Sequence, residues 1–367
     1  MRYRKQGLKR VGILTGGGDC PGLNAVIRAV TKTVINQYCG QVIGFEDGYA
    51  GVINGIYHTL TYKQVSGILT QGGTILGTSN KSSPFEKAIH PDTQIKMTKT
   101  LKKTLSTIHN CKIDVLMCIG GDGTLSIAEG LFRMGIPVIG IPKTIDNDLE
   151  GTDFTFGFNT AVQIASDAVD RLHSTAMSHH RVMVVEVMGR YAGWLALYSG
   201  VAGGGDIILI PEIPYKLDVI CKRVLERHRK GKRFSIIVIA EGAKPVGGTM
   251  MVSKRINQSP DPIRLGGISR VLANQIEEET GLEVRVTNLG HLQRGGTPTV
   301  FDRLLATRFG VEAVHRASDH DFGTMVALRG KQIVTCRLRD AVLKLKKVST
   351  DDPFIQSAQS VGTSFGI

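Results

Sequence analysis

The sequence predicts an α/β protein of two similar lobes, each built on a mainly parallel sheet, with a cleft between them. Three observations carry that prediction. Short apolar runs at 10–15 (RVGILT), 114–119 (DVLMCI), 136–141 (IPVIGI), 181–187 (RVMVVEV) and 235–240 (SIIVIA) read as buried strands. Stretches with helical spacing alternate with these runs in both halves of the chain. Loops rich in Gly or Asp follow several of them, at the carboxyl ends of strands, where open α/β sheets place their ligands.

Taken in order, the first strand at 10–15 leads into a glycine loop, and a helix opens near Pro21. Glycine before proline favours a helix start there, and Leu23, Val26, Ile27, Val30 and Val34 recur at helical spacing. A second strand covers 41–45. Residues 47–84 are glycine-rich and polar, and are predicted as loops and short helices around the cleft. A helix over 92–109 leads into a central unit. It comprises the strand 114–119, the loop Gly120–Thr124 (GGDGT), a helix over 124–134, the strand 136–141 and the loop 142–148 (PKTIDND). The helix places Leu125, Ala128, Leu131 and Phe132 on one stripe.

Beyond it, helices are predicted at 158–175, 194–201, 217–229, 269–279 and 303–314, and strands at 181–187, 207–210, 235–240 and 283–287. Residues 244–264 carry Gly, Pro, Ser and charge without periodicity, and read as a long surface loop. From Ser349 onward nothing periodic appears, which predicts a tail loosely attached or docked only in an oligomer. The linear division is 1–148 for one lobe, 149–340 for the other and 341–367 for the tail, with some later segments packing back onto the first lobe.

The chain has 367 residues, 42% of them hydrophobic, and 44 glycines, enough for a large core with many strand-to-loop turns. No stretch resembles a signal peptide, and no apolar run is long enough to span a bilayer, so no membrane partner is expected. Six cysteines (Cys20, Cys39, Cys111, Cys118, Cys221 and Cys336) show no metal-ligand spacing and predict reduced thiols in a cytoplasmic protein. The net charge is +13, with basic clusters at 1–10, 222–233 and 344–347. None is interleaved with aromatics, so small anionic metabolites explain the charge better than nucleic acid.

The chemistry follows from the two acid-bearing loops. Glycines let the backbone approach a phosphate, and a helix N-terminus favours an anion there. Carboxylates in that place would repel phosphate unless a divalent metal or a transferable proton is involved, which points to phosphoryl transfer. On that ground Gly18, Gly121 and Gly123 are candidates for the donor cradle. Asp122 is the candidate ligand for Mg²⁺, an ion that prefers few carboxylates plus substrate oxygens.

At these residues the chain resembles the 6-phosphofructokinase family. The resemblance runs from about Lys9 to Asp340 through blocks in the family's order: GGGDCPGLN (16–24), GGDGT (120–124), PKTIDND (142–148), VVEVMGRYAGW (184–194) and LGHLQRGGTP (289–298). GGDGT alone is shared with other kinases; PKTIDND with MGR and HLQRGG in this order is specific. The resemblance implies two Rossmann-like lobes, with donor binding by 1–148 and sugar-phosphate binding by 149–340. It also implies a Mg²⁺-dependent glycolytic kinase that transfers a phosphoryl group from ATP to the 1-hydroxyl of fructose 6-phosphate.

By the same resemblance Asp146 is the base, Thr144 holds the transferring phosphoryl, Asp148 positions substrate or metal, and Arg190 stabilises the transferring charge within Met188-Gly189-Arg190. Asn80, Lys81 and Thr124 join the ATP side. Arg181, Arg285, His291 and Arg294 take the 6-phosphate, for which arginine's planar fork is suited, and Glu241 takes sugar hydroxyls. In the family Arg181 and Arg285 come from a neighbouring subunit, so a homodimer or homotetramer with shared sites is implied.

Gly123 and Lys143 separate donors in the family. Pyrophosphate enzymes carry Asp and Lys there, and typical bacterial ATP enzymes carry Gly at both. An Asp at 123 would crowd and repel the nucleotide's α-phosphate, so Gly123 favours ATP. Asn80 stands where typical ATP enzymes have Arg. Lys32, His173 and Asp206 depart from the usual effector site, which predicts weak or absent allostery. The alternatives are a pyrophosphate-linked version of the reaction, another sugar phosphate as acceptor, and a non-catalytic nucleotide or sugar-phosphate sensor.

Overall fold

The computed structural model of the chain describes residues 7–86, 89–92, 94–255 and 263–367. Part of the basic run at 1–10, part of the expected loop at 244–264 and position 93 of the helix predicted over 92–109 lie outside the described residues.

The first half contains β1 (Arg10–Thr15), α1 (Leu23–Thr33), β2 (Gln41–Phe45), α2 (Tyr49–Asn54), β3 (Tyr57–Leu60), α3 (Lys99–Asn110), β4 (Val115–Gly120), α4 (Asp122–Arg133) and β5 (Val138–Thr144). There follow β6 (Phe156–Gly157), α5 (Phe158–His179), β7 (Val182–Val187), α6 (Trp194–Ala202), β8 (Ile207–Leu209), α7 (Leu217–Arg229), β9 (Ser235–Ala240), β10 (Val252–Arg255) and β11 (Ile263–Leu265). The chain closes with α8 (Ile268–Thr280), β12 (Val284–Asn288), α9 (Val300–Ser318), β13 (Thr324–Arg329), β14 (Gln332–Arg337), α10 (Leu338–Leu343) and α11 (Pro353–Ser360).

Two main sheets result. The first runs β14-β13-β5-β4-β1-β2-β3 with β6 beside β5, and the second runs β12-β7-β9-β8. Every pairing is parallel except the antiparallel pairs β13/β14 and β2/β3 at the edges of the first sheet. Side chains alternate across each strand. Met117 and Ile119 of β4 join α1 and α9 in one core, while Leu116 and Cys118 join α3, α4 and α10 in another. The second sheet repeats the arrangement, with Val185 and Val187 on one face and Val184 on the other.

Several expectations are corrected. The linear bound 149–340 gives way at 324–337: β13 pairs with β5 and, with β14, joins the first sheet, as later segments packing back onto the first lobe. A strand, β3, stands inside the segment expected as loops and short helices. The helix predicted over 92–109 begins at Lys99, where the Thr98 side chain accepts a bond from the Leu101 N–H and caps it. Phe132 is 41% exposed: it sits in the last turn of α4, leaning on Gly323 at the rim of the sheet. The expected loop at 244–264 contains the antiparallel pair β10/β11, a ribbon outside both main sheets.

The tail is neither loose nor dependent on another copy. Asp352 caps α11, Ile355 and Ala358 are buried in the second lobe's core with Phe365, and Ser364 bridges Ile207 at the edge of the second sheet.

Candidate active site

In an open parallel sheet the natural crevice lies where neighbouring strands send their connections in opposite directions. In the first sheet β2 lies on one side of β1 and β4 on the other. The crevice therefore falls between the loop after β1 (Gly16–Asp19) and the loop after β4 (Gly121–Asp122). In the second sheet β9 and β8 lie on one side of β7 and β12 on the other, so the crevice falls between Met188–Arg190 and Leu289–Arg294. Both motif pairs singled out in the sequence stand at switch points.

On the first lobe, the Gly16 N–H donates to the Ile119 carbonyl over 2.9 Å, locking the two loops side by side. The 77–81 segment runs along the glycine loop: the Gly17 N–H donates to the Ser79 carbonyl at 3.2 Å, and the Thr78 hydroxyl to the Gly17 carbonyl at 2.7 Å. This leaves Asn80 and Lys81 exposed beside it. Thr124 is turned differently. Its side chain is buried beneath Gly16 and Gly120, and its carbonyl accepts from the Tyr49 hydroxyl at 2.9 Å, so it supports the loops from below. Asp122 opens α4 and is exposed to the cleft side, while a side chain at Gly123 would meet nothing within 4 Å. Lys143 is buried, its ammonium donating to the Gly18 carbonyl, and burial pushes its pKa down.

The Pro142–Asp148 loop continues from β5. The Asp146 N–H donates to the Thr144 hydroxyl at 3.1 Å, and Thr144 also bonds the Asp148 carboxylate. Asn147 takes a left-handed backbone at φ 50°, and its amide is held at both ends, by the Asp153 carbonyl at 3.2 Å and the Thr155 N–H at 3.0 Å. That anchor turns its two acidic neighbours outward. Asp146 Oδ1 is buried without a hydrogen-bond partner. Burial raises the Asp146 pKa, Arg294 pulls it down, Asp122 raises it, and Arg190 and Lys143 pull it down again. The Asp148 carboxyl is raised too, by burial first and then by the charges of Asp146 and Asp122.

On the second lobe, Arg190 lies 5.6 Å from the Tyr191 ring centre and acts electrostatically on both Asp146 and Glu241. Gly242 passes directly under this loop. A Cβ there would fall 1.9 Å from the Arg190 carbonyl, so only glycine fits. Glu241 follows β9, and burial, with the charge of Asp146, pushes its carboxyl up to about 7. Arg294 reaches across to the first lobe, donating to the Asp19 carbonyl at 3.2 Å and covering Gly18. His291 is exposed at the same rim.

Two expected residues lie elsewhere. Arg181 precedes β7 and Arg285 lies near the start of β12, at the amino end of the second sheet. Both pair with Glu283, Arg181 at 2.7 Å. By the rise of a parallel strand, Arg181 stands about 23 Å and Arg285, level with Met183, about 17 Å from the Met188–Arg190 loop.

Other residues of the site carry no role in the sequence motifs, Gln293 of the 289–298 block among them. Gln293 is buried, accepts from the Met188 N–H at 3.3 Å and donates to the Gly290 carbonyl at 3.0 Å, tying the two second-lobe loops together. Glu186 gathers bonds from Ser269 and Asn288, and Glu212 from Gly193 and Val348. Acidic residues at the ends of buried strands were the only available signal.

Among the described residues no group of three or more His, Cys, Asp or Glu is arranged to hold a metal by itself, and no helix is long and apolar enough to cross a membrane. Asp122 beside the glycine loops and Asp146 with an unpartnered oxygen fit a hard divalent ion that takes its remaining ligands from substrate and water.

The fold and these loops define a two-lobed α/β protein with a phosphate-transfer cleft between its lobes. A family model for Phosphofructokinase matches residues 10–317, and the chain belongs to the phosphofructokinase family. It is 51% identical to the ATP-dependent 6-phosphofructokinase 2 of Clostridium perfringens (strain 13 / Type A), covering 98% of this chain and 99% of that one. It is 49% identical to the pyrophosphate–fructose 6-phosphate 1-phosphotransferase of Amycolatopsis methanolica, over 92% of this chain and 96% of that one. Among solved structures, Pichia pastoris phosphofructokinase in the T-state superposes with a TM-score of 0.78 at 33% identity, over 97% of this chain and 37% of that longer one.

Proposed function

We infer that this chain is an ATP-dependent 6-phosphofructokinase, transferring the γ-phosphoryl group of ATP to the 1-hydroxyl of fructose 6-phosphate in glycolysis. The products are fructose 1,6-bisphosphate and ADP. The observation that carries this is the setting of Asp146, an unpartnered carboxylate oxygen at the floor of the cleft. It feels Lys143 from its own lobe and Arg190 and Arg294 from the other.

Asp146 accepts the proton of the 1-hydroxyl, and its raised pKa brings it nearer the working pH, where a general base is most effective. Asp148 and Thr144 hold the loop and the incoming group, while Arg190 faces the charge that builds up during transfer. Glu241 holds sugar hydroxyls, and Arg294 with His291 takes the 6-phosphate. Asp122 would hold Mg²⁺, which neutralises charge on the donor's phosphates when bound.

ATP as donor rests on Gly123 as well as on the relatives. The space beyond its Cα is open, and an aspartate there would project a negative charge into the donor cradle. The pyrophosphate-linked reading draws on Lys143 and on the Amycolatopsis relative. Initial rates with fructose 6-phosphate and Mg²⁺, comparing ATP with pyrophosphate, decide between them. Turnover confined to pyrophosphate would overturn the ATP assignment.

The positions of Arg181 and Arg285 support a homo-oligomer in which each copy lends these arginines to a neighbour's acceptor phosphate. Asp206 is committed to Arg227 at 2.7 Å and to the Ile236 N–H at 2.9 Å, and His173 to the Gly203 carbonyl at 2.7 Å, which supports weak effector control. The free cysteines fit a cytoplasmic setting.

A further inference from the structure

We propose that the segment 345–348 is a positioning strap, in which Lys346 holds the Asp146–Asp148 loop of the first lobe in register with the Arg190 loop of the second. Lys346 is a positioning residue and touches no reacting atom. The proposal rests on the roles given above to Asp146, Asp148 and Arg190.

The strap binds both loops. Towards the first lobe, Leu345 forms a bridge with Leu149, and the Lys346 N–H donates to the Asp148 carbonyl at 2.8 Å. The Lys346 ammonium turns inward and donates to the carbonyls of Thr152 at 2.8 Å and Asp153 at 2.9 Å. The Asp153 carbonyl also accepts from Asn147, the residue between the two site aspartates. Lys346 and Asn147 therefore share one acceptor, and the ammonium fixes the turn that aims Asp146 and Asp148.

Towards the second lobe, the Trp194 indole N–H donates to the Lys346 carbonyl at 2.9 Å, and the ammonium lies 5.6 Å from the indole ring centre. Two residues further on, the Val348 N–H donates to Glu212 at 2.9 Å. The same carboxylate accepts from the Gly193 N–H at 2.9 Å, so the strap and the Arg190 loop hang from one group. Arg190, Glu212, Lys347 and Val348 also line a common cavity of about 440 Å³.

The physical logic is one of fixed donors. Lys346 is partly buried, with two carbonyls as acceptors and the charges of Asp153, Asp148 and Glu150 supporting its ammonium, so its position is fixed by the turn it binds. Burial lowers its pKa to about 8. The two catalytic loops grow from different sheets and share no strand. A linker bonded to both sets the distance between base and arginine, to which transfer rates are steeply sensitive.

The test is steady-state kinetics of the full chain carrying Lys346→Met or Lys346→Arg, with rates expressed per folded molecule and Asp146→Asn as control. Lys346→Met is expected to lower kcat by about 10–100-fold while leaving the KM for ATP unchanged, since the donor cradle is untouched. Lys346→Arg, which can donate to both carbonyls, should restore most of the loss. A Lys346→Met enzyme with wild-type kcat per folded molecule overturns the proposal, even if it melts earlier. If that variant does not fold, Trp194→Phe, which removes the indole donor and keeps an aromatic ring, decides: kcat should fall about 3–10-fold, and an unchanged kcat overturns the strap. Full activity in Asp146→Asn would instead sink the site assignment on which the strap depends.

Discussion

The carboxyl ends of the two sheets carry opposite chemistry. Around β1, β4 and β5 stand Asp19, Asp122, Asp146 and Asp148, with Lys143 held beneath the glycine loop. Around β7 and β12 stand Arg190, His291 and Arg294, with Glu241 after β9, Glu186 in β7 and Glu212 as acidic members. Neither rim is electrostatically complete alone. Burial and like charges push Asp146 and Asp148 towards their neutral forms, and the cations that oppose this at Asp146 come largely from the other lobe. The difference teaches that the working charge of the site is a property of the cleft, set by how closely the lobes approach.

Removing the charge on the acidic rim is the most direct way to break this comparison. Asp146→Asn keeps the shape and removes the carboxylate proposed as the base, so kcat should fall by about 10²–10⁴-fold with little change in either KM. A loss seen only in KM would make Asp146 a binding group and the acidic rim a passive wall.

Adding charge to the same rim is the next test. Gly123→Asp fills open space with an anion. It should lower kcat/KM for ATP by about 10–100-fold, corresponding to roughly 1.4–2.8 kcal/mol of repulsion in the transition state, and should spare or raise any pyrophosphate activity. An ATP rate that survives intact would remove Gly123 as the donor determinant.

The smallest effect concerns an acidic member of the basic rim. Glu241 has its carboxyl pushed from the ordinary 4.5 to about 7. Its folded pKa lies above the unfolded value, so the folded state binds the extra proton. Its contribution is fully present below the unfolded pKa and is lost as pH rises through 7. Chemical denaturation of the ligand-free protein should therefore give less stability at about pH 8 than at about pH 5, and Glu241→Gln should flatten that slope. An equal slope in both proteins would mean that Glu241 is ionised throughout and that Asp146 does not reach it.

Much of this was legible in the sequence, for identifiable reasons. The β4 and β9 strands were readable because a strand buried on both faces must be apolar throughout, and VLMCIG and SIIVIA are. The Gly120–Thr124 and Pro142–Asp148 loops stood out because glycine and aspartate together after a strand have few structural uses. Helix α7 could be delimited at both ends because its basic amphipathic pattern runs over 217–229, the span it occupies. The C-terminal helix could not, since Ile355, Ala358 and Phe365 bury few apolar groups and become a core only against the second sheet. Thr124, expected on the ATP side, has its side chain beneath Gly16 and Gly120, a placement that only their close approach decides.

The sequence by itself determined the parallel α/β class, the strand-end placement of the acidic and glycine loops, and the residue types available for phosphoryl transfer. These depend on local periodicity and short-range chemistry, which a linear chain displays. Only the tertiary structure decided that β13 and β14 complete the first sheet, that the tail docks on its own chain and that Arg294 reaches the glycine loop. It also decided that Lys346 stands between the Asp146–Asp148 loop and the segment leading into Trp194. Each of those depends on contacts between residues far apart in the chain, and the burial that stabilises them exists only once both sheets have formed.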